Sequence, residues 1–387
     1  MKKALIYCSV ASMIDQFNRD NLQTLQKLGF QVEVACNFQE GNTISQERIL
    51  SLQEDLTKQG IRFHQIPIPR SPLALAKIWQ SYQLTKALFK QEDFRLIHFH
   101  SPIGAAIGRL AYKHSHLNQA QIIYTAHGFH FYRGAPLANW ILYYPIEFLL
   151  ANETDILITI NSEDQVFAEN HLNCKQIEYV PGIGIDTQRF IPEMTRRENM
   201  RHQLGLAADE VMLLSVGELN KNKNHREIIS ILPRLKGDYK YFICGQGAEE
   251  QALKDLVHQL GLSQQVNFLG YRADIPDILQ AADIYCFPSY REGLSVALME
   301  AMASGLPCVV SDIRGNRDLI DDQGGRKFPL GDTETLYQAL QTLIVHADLR
   351  QKFGAHNQQK MKQFDKEIVQ ARMASIYQAA ESELKES

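Results

Sequence analysis

The chain has 387 residues, of which 45% are hydrophobic and 22% charged, with a formal net charge of -4. That length and apolar content suit two medium domains better than one, and the near-balanced charge gives nucleic acid no overall electrostatic hold. The six cysteines (8, 36, 174, 244, 286 and 308) lie far apart without CxxC or metal-ligand spacing, the pattern of buried thiols in a reducing cytosol.

The N-terminal MKKALIYCSVASMIDQF carries two lysines and a short apolar run, but polar Ser12, Asp15 and Gln16 follow without a cleavage site. A buried first strand is expected there rather than a signal peptide. The turn after it lacks Gly-x-Gly-x-x-Gly, which argues against a dinucleotide redox enzyme. Further strand-like runs are QVEVAC, IRFHQI, RLIHFH, QIIYTAH, DILITI and QIEYV. Amphipathic stretches separate them, such as RDNLQTLQKLG, which closes on Gly29 as a C-cap.

Histidines gather at these strand ends: His98 and His100 on one face of HFHS, His127 and His130 in AHGFHF. They read either as satisfied structural residues or as metal ligands, with no carboxylate partner marked out. Residues 62–113 hold eight Lys/Arg against two acids, near the apolar PLANWILYYPIEFLL. That combination reads either as a basic face for anionic lipid or as an ordinary charged surface over a buried aromatic helix. Pro145, Glu147 and its short length keep the apolar run from spanning a bilayer.

VPGIGIDTQRFIP, residues 180–192, has the prolines and glycines of a hinge. Strand and helix signals then begin afresh with VMLLSVGEL, YKYFICG, QVNFLGY, ADIYCFPS, LPCVVSD and GRKFPLG. The fold class predicted is α/β, with two doubly wound Rossmann-like domains facing across a cleft. The expected boundaries are 1–180, a hinge or linker over 181–205, a second domain over 206–363, and a helix over 364–387 that could pack on either domain and is placed on the N-terminal one.

SYREGLSVALMEAMASGLPCVVSD places Glu292 and Glu300 with seven residues between them. On one straight helix they would stand about 12 Å apart and about 80° around the axis. That is too far for a retaining glycosidase pair, which needs about 5 Å. Gly293 favours a helix start beyond it, with Ser295 as N-cap, leaving free N–H groups near 294–297 for an anion. An elongated ligand gripped at two places fits this spacing. The plain alternative is a dipole-complementing Glu300 and a solvated Glu292.

With these motifs in view, the chain resembles the retaining glycosyltransferases of family four, which have the GT-B fold. The Glu-x7-Glu segment carries the likeness, with PGIGIDTQRF as hinge, SVGELNKNKN as phosphate loop and FLGYRADIPDILQAADIYCFPS as nucleotide-binding strands. HFHSPIGAAIGRLAY and YTAHGFHFYRGAPLANWILYYP look most like transferases that build bacterial capsular and exopolysaccharide repeat units. The resemblance implies a nucleotide-sugar donor, UDP in preference to GDP, and an undecaprenyl-diphosphate-linked sugar acceptor. It implies a cytoplasmic enzyme, peripheral on the inner face of the membrane. It assigns Glu292 to sugar hydroxyls, Glu300 to the ribose and Lys223 to the diphosphate with the N–H groups of Leu294 and Ser295. His127 falls to donor and acceptor, and Gly217, Gly245, Gly247, Gly293 and Arg272 to donor binding. Glu218 departs from the family, standing where an arginine is usual, with Arg291, Lys221 or helix N–H groups as alternative sources of the missing positive charge. No Asp-x-Asp is present, so neither metal nor cofactor is expected. The rival readings are a GT-B-like sugar-nucleotide epimerase or hydrolase, and a non-catalytic sugar-nucleotide-binding protein.

Overall fold

A computed structural model describes residues 2–115 and 120–386 of the chain. The chain forms two compact units, Met1–Ile183 with Val369–Ser387, and Gly184–Ile368.

The first unit is built on a seven-stranded sheet: β1 (Lys3–Val10), β2 (Gln31–Asn37), β3 (Arg62–Gln65), β4 (Phe94–His100), β5 (Gln121–Ala126), β6 (Ile156–Thr159) and β7 (Gln176–Tyr179). The order is β3-β2-β1-β4-β5-β6-β7, every pair parallel. Parallel strands are covered on both faces and read as continuous apolar runs, and β1 shows why. Its Ala4, Ile6 and Cys8 enter one core cluster while Leu5 and Tyr7 enter the cluster on the opposite face.

The second unit repeats the design with β8 (Val211–Val216), β9 (Tyr239–Cys244), β10 (Val266–Gly270), β11 (Ile284–Phe287), β12 (Cys308–Ser311) and β13 (Gly325–Phe328). The order is β10-β9-β8-β11-β12-β13, again all parallel. Met212 and Leu214 of β8 face one core, Val211 and Leu213 the other.

The final helix, Lys366–Glu386, packs in the first unit. Val369, Met373, Ile376, Tyr377 and Ala380 recur at helical spacing and join the core of β1 and β2. Tyr377 Oη lies 2.8 Å from His98 Nδ1, and Arg372 donates to Glu178 at 2.6 Å. The chain therefore passes between the units twice.

Two expectations need correction. The segment 181–205 is no free linker from Gly184 onward, because Ile185 bridges to Asp365 within the second unit. Its helix Met194–Gln203 is bolted down by Arg197 and Arg201, both on the carboxylate of Asp283 at 2.6 and 3.0 Å. The basic stretch 62–113 is also less of a face than its count implies. Arg109 is buried and donates to Glu147 at 2.7 Å, and Arg62 is spent on Glu33 and Glu92. No helix among the described residues is long and apolar enough to cross a membrane.

Candidate active site

In the second unit, the loops after β8, β9, β11 and β12 converge at the carboxyl ends of the strands, where open parallel sheets bind ligands. Beyond β11, Ser295 is extended and its Oγ accepts the Leu298 N–H at 3.4 Å, capping the helix Val296–Ala303. Lys223 ends a single 3-10 turn, Lys221–Lys223, whose cap Asn220 accepts the Lys223 N–H at 3.0 Å. The Lys223 ammonium donates to Glu292 Oε1 at 2.8 Å and stands 4.7 Å from the centre of the Phe287 ring. The same loops are joined by the Tyr290 N–H on the Asn222 carbonyl at 2.8 Å and by Asn222 Nδ2 on the Arg291 carbonyl at 3.0 Å. Folding thus brings together Lys223 and Glu292, which lie 69 positions apart in sequence.

Glycine makes this closeness possible. A Cβ on Gly245 would fall 1.8 Å from the Gly217 carbonyl oxygen, and one on Gly247 would fall 2.3 Å from that of Leu219. Bare backbone is what lets these two loops pack. Gly217 leaves room for the Lys223 stem, whose Cε would sit 3.2 Å from an added Cβ.

Glu300 lies on the capped helix, mostly shielded from solvent. Burial pushes its carboxyl up to about 7, with nearby Arg189 pulling the other way. The two glutamates therefore differ in kind: Glu292 is paired with a cation, whereas Glu300 is poised between acid and carboxylate at neutral pH. Arg272 is held by Asp274, with Nε to Oδ1 at 2.7 Å, so its side chain is engaged rather than free in solvent. Glu218 is exposed, as are Lys221 and Arg291.

The loop after β12 escapes the sequence reading. Gly315 has φ 76°, and a Cβ there would meet the Gly293 carbonyl oxygen at 2.2 Å. Arg314 beside it is buried, an unusual place for a guanidinium. The signal was present in SDIRGN, an Arg-Gly-Asn directly after a strand.

In the first unit, the ends of β4 and β5 carry a column of imidazoles. His98 is satisfied on both sides, by Tyr377 Oη at 2.8 Å and Thr125 Oγ1 at 2.7 Å. The His98 ring centre lies 4.0 Å from that of His100, whose Nδ1 is 3.0 Å from His127 Nε2. Burial depresses all three: His98 to about 3, His127 to about 4 and His100 well below the usual imidazole range. All are neutral at pH 7. The metal reading of His98 and His100 falls, since both His98 nitrogens are occupied, and the described residues hold no cluster of three or more His, Cys, Asp or Glu placed to bind a metal ion.

At the head of β4, Ser101 has φ 68° and ψ 143°, a region rarely entered by any residue but glycine. Its Oγ lies 2.5 Å from Ser9 Oγ at the end of β1. Ser9, Ser12, Gln16, Arg70, Ser101 and Tyr143 line a cavity of about 310 Å³. Val10, Met13, Phe17, Pro69, Pro102 and Ile103 also line it, so the cavity is mixed in character.

The chain thus offers two doubly wound parallel sheets, the second with a charged, glycine-packed loop cluster at its strand ends. The profile described as Glycosyltransferase Family 4 matches residues 17–189, and that described as Glycosyl transferases group 1 matches residues 196–360. EpsD of Bacillus subtilis, named only as a glycosyltransferase, is 31% identical over 98% of this chain and 97% of its own length. An Escherichia coli UDP-Gal:alpha-D-GlcNAc-diphosphoundecaprenol alpha-1,3-galactosyltransferase is 28% identical over 74% of this chain and 76% of that protein. Among solved structures, Anabaena Alr3699/HepE in complex with UDP superimposes with a TM-score of 0.78 at 18% identity, covering 97% of this chain and all of that one. The chain belongs to glycosyltransferase family 4.

Proposed function

We propose that the enzyme moves a hexose or N-acetylhexosamine from a UDP-sugar to an undecaprenyl-diphosphate-linked glycan during capsular or exopolysaccharide assembly, with retention at the anomeric carbon. The observation that carries this reading is the Lys223–Glu292 pair at 2.8 Å beside the capped helix. In the free enzyme Glu292 neutralises Lys223. When a donor enters, Lys223 and the N–H groups of Leu294 and Ser295 turn to the diphosphate, where negative charge grows as the glycosidic bond breaks. Glu292 is then released to accept hydrogen bonds from sugar hydroxyls, and Glu300 from the ribose. Arg272 and the backbone at Gly217, Gly245, Gly247 and Gly293 shape the nucleotide's bed. In the first unit, neutral His127 offers a hydrogen bond without adding charge, a role suited to orienting hydroxyls of donor and acceptor. The cavity at Ser9, Ser101 and Arg70, walled by both polar and apolar side chains, suits the acceptor's head.

In the reaction, the C1–O bond to the diphosphate breaks and UDP leaves with the electron pair. The acceptor oxygen bonds C1 from the same face and gives its proton to the departing phosphate oxygen, so no separate base is assigned. Lys223 and the amides supply the positive charge a divalent cation would otherwise provide, in keeping with the lack of Asp-x-Asp. The E. coli relative, whose name specifies a UDP-sugar and a diphosphoundecaprenol acceptor, supports both substrate classes.

The test is transfer from UDP-Gal, UDP-GlcNAc and UDP-GalNAc to a synthetic diphosphoprenyl-linked sugar, with and without EDTA. The anomeric configuration of the product is read by NMR. Transfer with retention that survives EDTA is expected. Rapid turnover of the donor without acceptor would favour an epimerase or hydrolase. Tight UDP binding with no transfer to any lipid-linked acceptor would favour a binding protein.

A further inference from the structure

The imidazoles of the first unit form a chain with one loose end. His98 and His100 share one face of β4, and the register sets His100 beside Thr125 of β5, so His127 follows two positions beyond that partner. The His98 ring is pinned between Tyr377 Oη and Thr125 Oγ1 and lies against His100, the ring centres 4.0 Å apart. His100 Nδ1 meets His127 Nε2 at 3.0 Å, while His100 Nε2 is buried and bonds to no protein group. Asp20, Asn21 and Gln370 share a small cavity with this ring, and none of them bonds to that nitrogen. His127 itself is half-buried, with Nε2 taken and Nδ1 left for a ligand.

Two neutral rings in contact share one hydrogen between them, and burial keeps both rings neutral at pH 7. Either the His100 Nδ1–H donates to His127 Nε2, or the His127 Nε2–H donates to His100 Nδ1. The second arrangement requires His100 to carry its proton on Nε2, as a buried N–H with no protein acceptor. The first leaves only a lone pair there. In protein interiors an orphaned N–H is rarer than an unsatisfied acceptor, so the first arrangement is favoured. His127 then carries its own proton on Nδ1.

We propose that His100 is a positioning residue: by donating its Nδ1–H to His127 Nε2 it fixes the His127 proton on Nδ1, so that His127 offers a ligand a hydrogen-bond donor and no basic lone pair. Such a donor binds an oxygen lone pair, whether of a sugar hydroxyl or of an N-acetyl carbonyl. It also keeps His127 from competing for the acceptor proton, which the departing phosphate takes in the proposed reaction. Tyr377, reaching in from the last helix, acts at one remove by holding His98 against His100. The use in transfer rests on the proposed role of His127, whereas the placement of the proton does not.

The experiment is nitrogen NMR of the full-length, ligand-free protein labelled with 15N at histidine, at pH 7. The His127 signals are identified by their loss in His127→Gln. The native protein is expected to show His127 protonated on Nδ1 and bare on Nε2, with His100 also protonated on Nδ1. The reverse pattern overturns the proposal. His100→Leu removes the donor, so the His127 proton should move to Nε2 in a large share of molecules, and transfer should fall about tenfold. His100→Asn, whose amide can donate from nearly the same place, should restore the native His127 pattern and bring transfer back to within about threefold. A leucine variant with native spectrum or native transfer overturns the proposal, as does a folded asparagine variant that behaves like leucine. Melting temperatures accompany each variant; if leucine prevents folding, the native spectrum and the asparagine variant decide. If the spectra are as expected while no protein transfers sugar, the proposed reaction fails and the placement of the proton stands.

Discussion

The two units share a topology and equip their strand ends in opposite ways. The second packs bare backbone against bare backbone at Gly217 and Gly245 and adds one ion pair, Lys223–Glu292. The first stacks His98, His100 and His127, all uncharged at neutral pH, near a strained Ser101 and a cavity of mixed lining. A site for a diphosphate needs amides and a cation close at hand. A site for sugar hydroxyls needs neutral donors and acceptors, which hold a ligand without binding every passing anion. On the proposed function, one fold would serve two recognition problems through what is placed at its loops.

The sharpest way to break this contrast is at Glu292. Glu292→Gln should lower transfer by about 10²–10³-fold while the melting temperature stays close to native, since the amide keeps the shape and loses the charge. An unchanged rate would remove Glu292 from the chemistry. Next, Gly245→Ala forces a methyl into the Gly217 carbonyl and should destabilise by about 2–3 kcal/mol with loss of UDP affinity, seen by denaturant melts and calorimetry. Glu300→Gln sharpens the electrostatic side. The raised pKa means wild-type stability is fully present below about pH 4.5 and falls as pH climbs through about 7. The amide should therefore stabilise the free protein by up to about 3 kcal/mol at pH 8, and hardly at all at pH 4.5, while weakening UDP binding.

The histidine column gives the opposite slope. Folded values of about 3 and 4 for His98 and His127 lie below the unfolded value near 6.5, so stability is full above pH 6.5 and drains away as pH falls toward 4. Thermal melts across that window should show it, and Tyr377→Phe should cost only about 1 kcal/mol by removing one bond to His98. The smallest effect belongs to Glu218. It is exposed, so Glu218→Ala should leave stability within about 0.5 kcal/mol of native. Glu218→Arg, which restores the usual family cation, should tighten UDP binding several-fold in a titration.

Much of this was legible in the chain. Alternating runs foretold both sheets because buried parallel strands must be apolar throughout, and a serine after glycine foretold the cap of Val296–Ala303 because local hydrogen bonding decides it. What sequence hid were facts of long range. Arg109 counted as surface charge since nothing nearby announces Glu147, 38 positions away. Arg314 and Gly315 drew no notice because their meaning lies in the Gly293 carbonyl opposite. The last helix showed an amphipathic pattern, placed on the first unit, without naming the strands it would cover.

That last helix has a consequence for biosynthesis. In chain order the second unit is inserted within the first, so the residues that cap His98 and seal the β1 core leave the ribosome only after Gly184–Ile368 has been made. The first unit must wait, incompletely covered, while its younger neighbour folds. Protein cut before Val369 should show that waiting state as an apolar, protease-sensitive first unit beside an intact second one.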